Sequence, residues 1–200
     1  MIELKDKVVL ITGAGKGSGR ILAQALAERG AIVAANDISP INVEEIVDEI
    51  NKNGGQAKAF IEDVAKKVGA QNLIMQVEDA FGRIDVLINH ASVKPQTALL
   101  HMDEWDWHRV LDVNLTGVFL MTQSVGRIMR GQGSGVMINL ITADQDEVQN
   151  EAAFVTSMNG LAGFTRQAAK ELSPHGIRVH VVKTGDGIVE RVLTLLEENQ

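Results

Sequence analysis

The chain of 200 residues has no cysteine, no tyrosine and few aromatic residues of any kind (4%). Without thiols there is no disulfide framework and no thiolate metal site. Without tyrosine there is no phenol to hold or release a proton. No apolar run approaches the ~20 residues that a helix needs to cross a bilayer, and no signal-peptide pattern opens the chain. Basic residues are outnumbered, 19 Lys and Arg against 26 Asp and Glu, a net charge of −7. That balance argues against the basic face of a general nucleic-acid-binding surface. HExxH pairs, histidine clusters and acidic metal loops are also missing, which argues against a metal enzyme. There is no repeat, low-complexity tract or linker, and the length fits one domain at ~100–200 residues per domain. The opening MIELKDKVVLITG runs straight into a strand, so one domain is expected over 1–200. The expected location is the cytoplasm, with neither membrane nor nucleic acid as partner.

What the sequence does contain is alternation. Lys7 to Thr12, Ala31 to Asn36, Ala57 to Ile61, Ile84 to Asn89, Gly135 to Ile141 and Arg178 to Val182 are short apolar runs suited to buried parallel strands. Between them lie helical patterns over Gly17 to Arg29, Ile41 to Asn51, Lys66 to Phe81, Asp103 to Arg130 and Ala152 to Glu171. A last helix is predicted over Ile188 to Glu198. Strands joined by helices of this length make right-handed crossovers. The expected fold is α/β, a Rossmann-type doubly wound parallel sheet with helices on both faces, in a single domain.

The first strand leads through Thr12-Gly13-Ala14-Gly15-Lys16-Gly17-Ser18-Gly19 into a helix. A glycine string in that setting lets the backbone approach a pyrophosphate, and the helix start offers free N–H groups and a positive dipole end. Asp37 follows the second strand, where a carboxylate accepts from both hydroxyls of an adenosine ribose and repels a 2′-phosphate. Lys16 could instead pair with that phosphate, but a dianion beside a carboxylate costs more than one flexible surface lysine returns. The expected cofactor is therefore NAD, with NADP less favoured.

The loop TGAGKGSG resembles the TGxxxGxG of the short-chain dehydrogenase/reductase family, and the resemblance runs on to about Gly185. Asp63-Val64 resembles the family's adenine contact, Asn89-His90-Ala91-Ser92 its NNAG motif, and Asp112-Val113-Asn114 its structural and proton-relay asparagine. Leu161 to Val179 resembles the helix and strand that follow the active site. The resemblance implies cofactor contacts at Gly13, Gly15, Lys16, Gly17, Ser18, Gly19, Asp37, Asp63, Val64, Asn89 and Ala91. It also implies hydride transfer between a nicotinamide and an alcohol or carbonyl carbon, using a tyrosine, a lysine one helical turn later, a serine and the asparagine. Association through the long helix and the one after the fifth strand, as a homodimer or homotetramer, is implied as well.

The chain departs from that pattern at the chemistry. Phe154 aligns with the tyrosine and Met158 with the lysine, Thr142 stands for the serine, and only Asn114 is kept. The family's proline-glycine after strand six is Thr184-Gly185, and residues 186 to 200 are short for the family's substrate lid and seventh strand. The expectation is an NAD(H)-binding protein of this family without its standard oxidoreductase activity, self-associated or paired with an active relative. The catalytic position is then a degenerate one, built on Asn114 and Thr142 with Phe154 and Met158. The alternative is an oxidoreductase whose acid has moved to Thr142, His90 or Lys183, and a third reading is a structural subunit that has lost the nucleotide. His101, His108 and His175 are expected at the surface, Trp105 and Trp107 in packing at the start of the long helix, and the last helix either covering the sheet or meeting a second copy.

Overall fold

The computed structural model describes residues 4–142 and 149–197. Its strands are β1 (Val8–Thr12), β2 (Ile32–Asp37), β3 (Gln56–Ile61), β4 (Val86–Asn89), β5 (Gly135–Ile141) and β6 (Ile177–Lys183). All pair in parallel in the order β3-β2-β1-β4-β5-β6. The chain winds from β1 outward to β3, then returns to the other side of β1 and winds the opposite way. That reversal opens a crevice above the C-terminal ends of β1 and β4, where sheets of this kind bind ligands.

The helices are α1 (Gly17–Ala27), α2 (Pro40–Lys52), α3 (Lys67–Phe81), α4 (Glu104–Leu111), α5 (Gly117–Gln132), α6 (Ala152–Leu172) and α7 (Ile188–Glu197). Side chains of a strand alternate between faces, and β1 feeds two layers accordingly. Val9 and Ile11 pack with Leu22 of α1, Ile46 of α2 and Val192 of α7. Val8 and Leu10 pack with Leu73 of α3, Met121 of α5 and Ala168 of α6. The apolar face of α7 thus covers the sheet beside α1, and Glu198, the expected end of that helix, lies outside the described residues.

Three expectations need correction. The helix predicted over Asp103 to Arg130 is α4 and α5 joined by a wide π turn, Asp112–Thr116. β4 begins at Val86 and not at Ile84, because the buried Asp85 carboxylate takes the Val8 N–H at 2.9 Å and pairs with Arg83 at the strand's entry. Burial alone would raise the Asp85 pKa, yet Arg83, the Val8 N–H and Lys7 together hold it below the ordinary carboxylate value. Trp105 is exposed and not packed, with the Arg109 guanidinium 5.2 Å from its ring, whereas Trp107 packs as expected.

Candidate cofactor-binding and catalytic site

Four residues in register cross the sheet beneath the crevice: Asn36 of β2, Thr12 of β1, Asn89 of β4 and Asn139 of β5. All four are buried, and a buried polar group is tolerated only when it is hydrogen-bonded. Asn36 donates to the carbonyls of Phe60 and Glu62 at 3.1 and 3.0 Å, tying β2 to the end of β3. The Thr12 hydroxyl accepts from the N–H groups of His90 and Ala91 at 3.1 and 3.2 Å. Asn89 donates to Asn139 at 2.8 Å, and Asn139 donates to Thr165 of α6 at 2.9 Å. The Asn89 amide nitrogen is thus used within the sheet, whereas its buried Oδ1 has no hydrogen-bond partner among the described residues and Asn89 does not border the cavity of the cleft. The sequence hints at this row only by a polar residue at or near the end of four apolar runs.

Above the row lies the glycine loop. At Gly13 φ is +66°, and a Cβ would stand 2.8 Å from the Ala91 Cα, so only glycine fits. A Cβ on Gly19 would meet the Gly13 carbonyl at 2.5 Å and the His90 ring at 2.6 Å. The loop is folded onto β4 by these close approaches. The start of α1 has no side-chain cap and no carboxylate in its first turn. Its first N–H groups and dipole can therefore serve an anion. His90 sits under the loop, its Nδ1–H donating to the Gly13 carbonyl at 2.9 Å. Burial holds its pKa below the ordinary histidine value against the opposing pull of that carbonyl and of Asp37.

A cavity of about 750 Å³ runs from the loop over β2 and β3 and back along α4, within the ~300–1,000 Å³ range of ligand pockets. Gly13, Lys16, Asp37, Asp63, Val64 and Ala91 line it, together with Trp105 and Arg109 of α4. Gly15, Gly17, Ser18 and Gly19 do not border it. Asp37 ends β2 with its carboxylate aimed back, accepting from the Gly15 N–H at 3.1 Å and the Ser39 N–H at 3.0 Å. Asp63 accepts from the Ala65 N–H at 3.0 Å, shaping the turn that carries Val64.

The other end of the crevice, above β4 and β5, is built differently. Asn114 lies in the π turn with its amide wholly engaged by protein. It accepts from the Val93 N–H at 2.8 Å and donates to the Val93 carbonyl at 3.0 Å and the Ser157 hydroxyl at 3.1 Å. Phe154 and Met158 share one face of α6 and are only 3% and 2% exposed. They pack with Val110, Val118, Ile141 and Leu161 as a third apolar cluster. Thr142 follows β5 half-buried. Lys183 is exposed at the end of β6 and faces a separate recess beside α7. His101, His108 and His175 are exposed, as expected, and His180 is half-buried within β6.

A model of the short chain dehydrogenases matches residues 7–191. The chain belongs to the short-chain dehydrogenase/reductase family. It is 40% identical over 187 residues to a 3-oxoacyl-[acyl-carrier-protein] reductase of Synechocystis, covering 92% of this chain and 76% of that protein. A metagenomic short-chain oxidoreductase, solved in complex with NADP, superimposes with a TM-score of 0.91 at 30% identity, over 96% of this chain and 90% of that one. An NAD+-bound xylitol dehydrogenase gives 0.86 at 30%, over 96% and 76%.

Within this short-chain dehydrogenase/reductase chain, one group near the degenerate dyad has no motif to announce it. Lys94, on the connection after β4, reaches the Glu151 carboxylate at 2.9 Å, and the Glu151 side chain is fully buried. The same ammonium stands 5.1 Å from the Phe154 ring centroid. Among the described residues no helix is long and apolar enough to cross a membrane, and no group of three or more His, Asp or Glu is placed to hold a metal ion.

Proposed function

We propose that this protein binds NAD(H) and does not run the family's tyrosine–lysine chemistry. The observation that carries the reading is the contrast along one cleft: Asp37 and the glycine loop face the cavity at one end, and Phe154 and Met158 are packed into a core at the other. NAD, when bound, supplies or takes a hydride; the residues here hold its adenosine and phosphates. Asp37 takes the ribose hydroxyls, Asp63 and Val64 flank the adenine, Ala91 lies beside the loop, and the start of α1 takes the pyrophosphate. Ile38, which follows Asp37, is 67% exposed and brings no cation for a 2′-phosphate. NAD is accordingly favoured over NADP, although solved relatives hold either.

Titration calorimetry with NADH and NADPH tests the reading, and NADH is expected to bind more tightly. Equal or tighter binding of NADPH overturns it and makes Lys16 the deciding residue. A turnover assay with simple ketones on the same sample is expected to stay at background.

Self-association is part of the proposal. The outer faces of α5 and α6 present Phe119, 42% exposed, in an edge contact with Phe164, beside a groove of about 480 Å³. An isologous contact of this face across a twofold axis closes a dimer. Light scattering is expected to give a dimer or tetramer mass, and a monomer at high micromolar concentration overturns it. The cytoplasm is the proposed location, in keeping with a chain that has no cysteine.

A further inference from the structure

The sheet order fixes how a dinucleotide would lie. Adenosine belongs over β2 and β3, the pyrophosphate at the loop after β1, and the remaining half over β4 and β5. At that last place the chain closes on itself. Lys94 pairs with Glu151 at 2.9 Å and covers the Phe154 ring at 5.1 Å. The Gln96 amide donates to the other Glu151 oxygen at 3.3 Å. The Thr97 N–H donates to the Asn150 carbonyl at 2.8 Å. Three ties thus bind the segment 94–97 to the start of α6, with Lys94 against the Phe154 ring. Lifting that segment would leave a fully buried carboxylate without its cation, which is strongly unfavourable. The cavity reaches Ser92, Val93, Asp112 and Val113 beside Asn114, but Phe154, Met158 and Asn114 themselves do not border it.

We infer that the ligand of this cleft is the adenosine diphosphate moiety, so that ADP-ribose is bound as well as the whole dinucleotide. The nicotinamide half of NAD(H) then adds little to binding, since Met158 offers no hydrogen bond to its ribose and the Lys94 ammonium, held by Glu151, covers the Phe154 ring. The inference rests on the reading of the cleft as an NAD(H) site and narrows it. A protein of this kind reads the adenosine diphosphate group irrespective of what is attached to it.

Titration calorimetry with NADH, ADP-ribose and nicotinamide mononucleotide separates the possibilities. ADP-ribose is expected within about threefold of NADH, with no heat from the mononucleotide. Bound NADH is expected to keep the emission wavelength of the free dihydronicotinamide, because that ring stays in water. An NADH affinity more than about tenfold above that of ADP-ribose, or measurable mononucleotide binding, overturns the inference while leaving the NAD(H) reading standing. No binding by any of the three overturns both. Lys94→Met with Glu151→Gln removes the ion pair without stranding a charge and is expected to raise the NADH to ADP-ribose ratio at least about threefold. An unchanged ratio overturns the assignment of the closure to this pair.

Discussion

At the β2 end of the cleft, each polar group is held where a ligand can use it: Asp37 is braced by two N–H groups, and the loop is pinned to β4 through Thr12 and His90. At the β5 end, the positions where the family carries a phenol and an ammonium have become part of a hydrophobic core with Val110, Ile141 and Leu161. Fully burying side chains of this size contributes roughly 1.5–3 kcal/mol each, whereas a buried ammonium without a partner costs several. The two ends share one sheet and one crevice, so the fold does not dictate the chemistry. The proposed nucleotide site needs backbone geometry and one carboxylate, neither of which depends on what fills positions 154 and 158.

The largest effect is expected from turning the changed end back. Phe154→Tyr alone returns a phenol of ordinary pKa ~10, and the nearby Lys94 is already neutralised by Glu151. Met158→Lys alone places an ammonium in an apolar cluster and is expected to lower stability by about 3 kcal/mol, read by chemical denaturation. Each single variant is expected to leave NADH-dependent ketone reduction at background, because groups that act as a unit are non-additive. Made together, with Lys94→Met and Glu151→Gln to uncover the ring, they are expected to raise the rate roughly 100-fold or more above either single variant. A clear rate in the unmodified protein, abolished at Thr142, His90 or Lys183, would break the comparison and establish an enzyme with a relocated acid.

A smaller effect sharpens the preserved end. Asp37→Ala is expected to weaken NADH by about 10- to 100-fold, the worth of charged hydrogen bonds to the ribose, and to narrow its advantage over NADPH. Part of that loss is loop order, because the Gly15 and Ser39 N–H groups lose their acceptor. Asp37→Asn separates the two contributions. It keeps an acceptor oxygen for one of the two N–H groups and removes the charge, so NADPH should gain relative to NADH with a smaller general loss of adenine-nucleotide binding than in Asp37→Ala.

The preserved end was legible in the sequence because it is contiguous. Thr12 to Gly19 and Asp37 fall at strand ends that hydrophobic runs announce. The π turn was not, since its apolar residues keep a helical period and five residues of wider winding leave no mark on it. Asn139 sits inside MINLI and looks like an interruption until register sets it beside Asn89. The Lys94–Glu151 pair was beyond reach for a plainer reason. Its members lie far apart on irregular connections, belong to no spacing rule, and meet only because β4 and β5 are neighbours. The spacing of Phe154 and Met158 puts them on one helix face, but the sequence did not show that both pack with Val110, Val118 and Ile141.

The smallest expected effect concerns His90, which lies against the glycine loop. Its imidazole lies under Gly13, and its Nε2 would be 3.9 Å from a Cβ placed on Gly17, so a pyrophosphate at the loop brings negative charge close to it. Burial keeps the folded pKa below the ordinary value of 6.5. Above that value both folded and unfolded chains hold a neutral ring, and the group contributes nothing to pH dependence. As pH falls below it, the unfolded chain takes up the proton first, so stability declines until the folded pKa is passed. Ligand binding acts in the opposite sense: a nearby phosphate raises the pKa of the imidazole, so binding takes up protons and tightens as pH falls through the same window. Calorimetry at pH 6 in two buffers of different protonation enthalpy is expected to register uptake of less than one proton per NADH bound, and none at pH 8. The accompanying gain in affinity should stay under about tenfold, since a single partly screened charge is involved. His90→Asn keeps a donor for the Gly13 carbonyl and removes the titrating group, so its binding should be independent of pH across this range. Proton uptake that persists in His90→Asn would place the titration elsewhere in the cleft and detach His90 from the phosphate site.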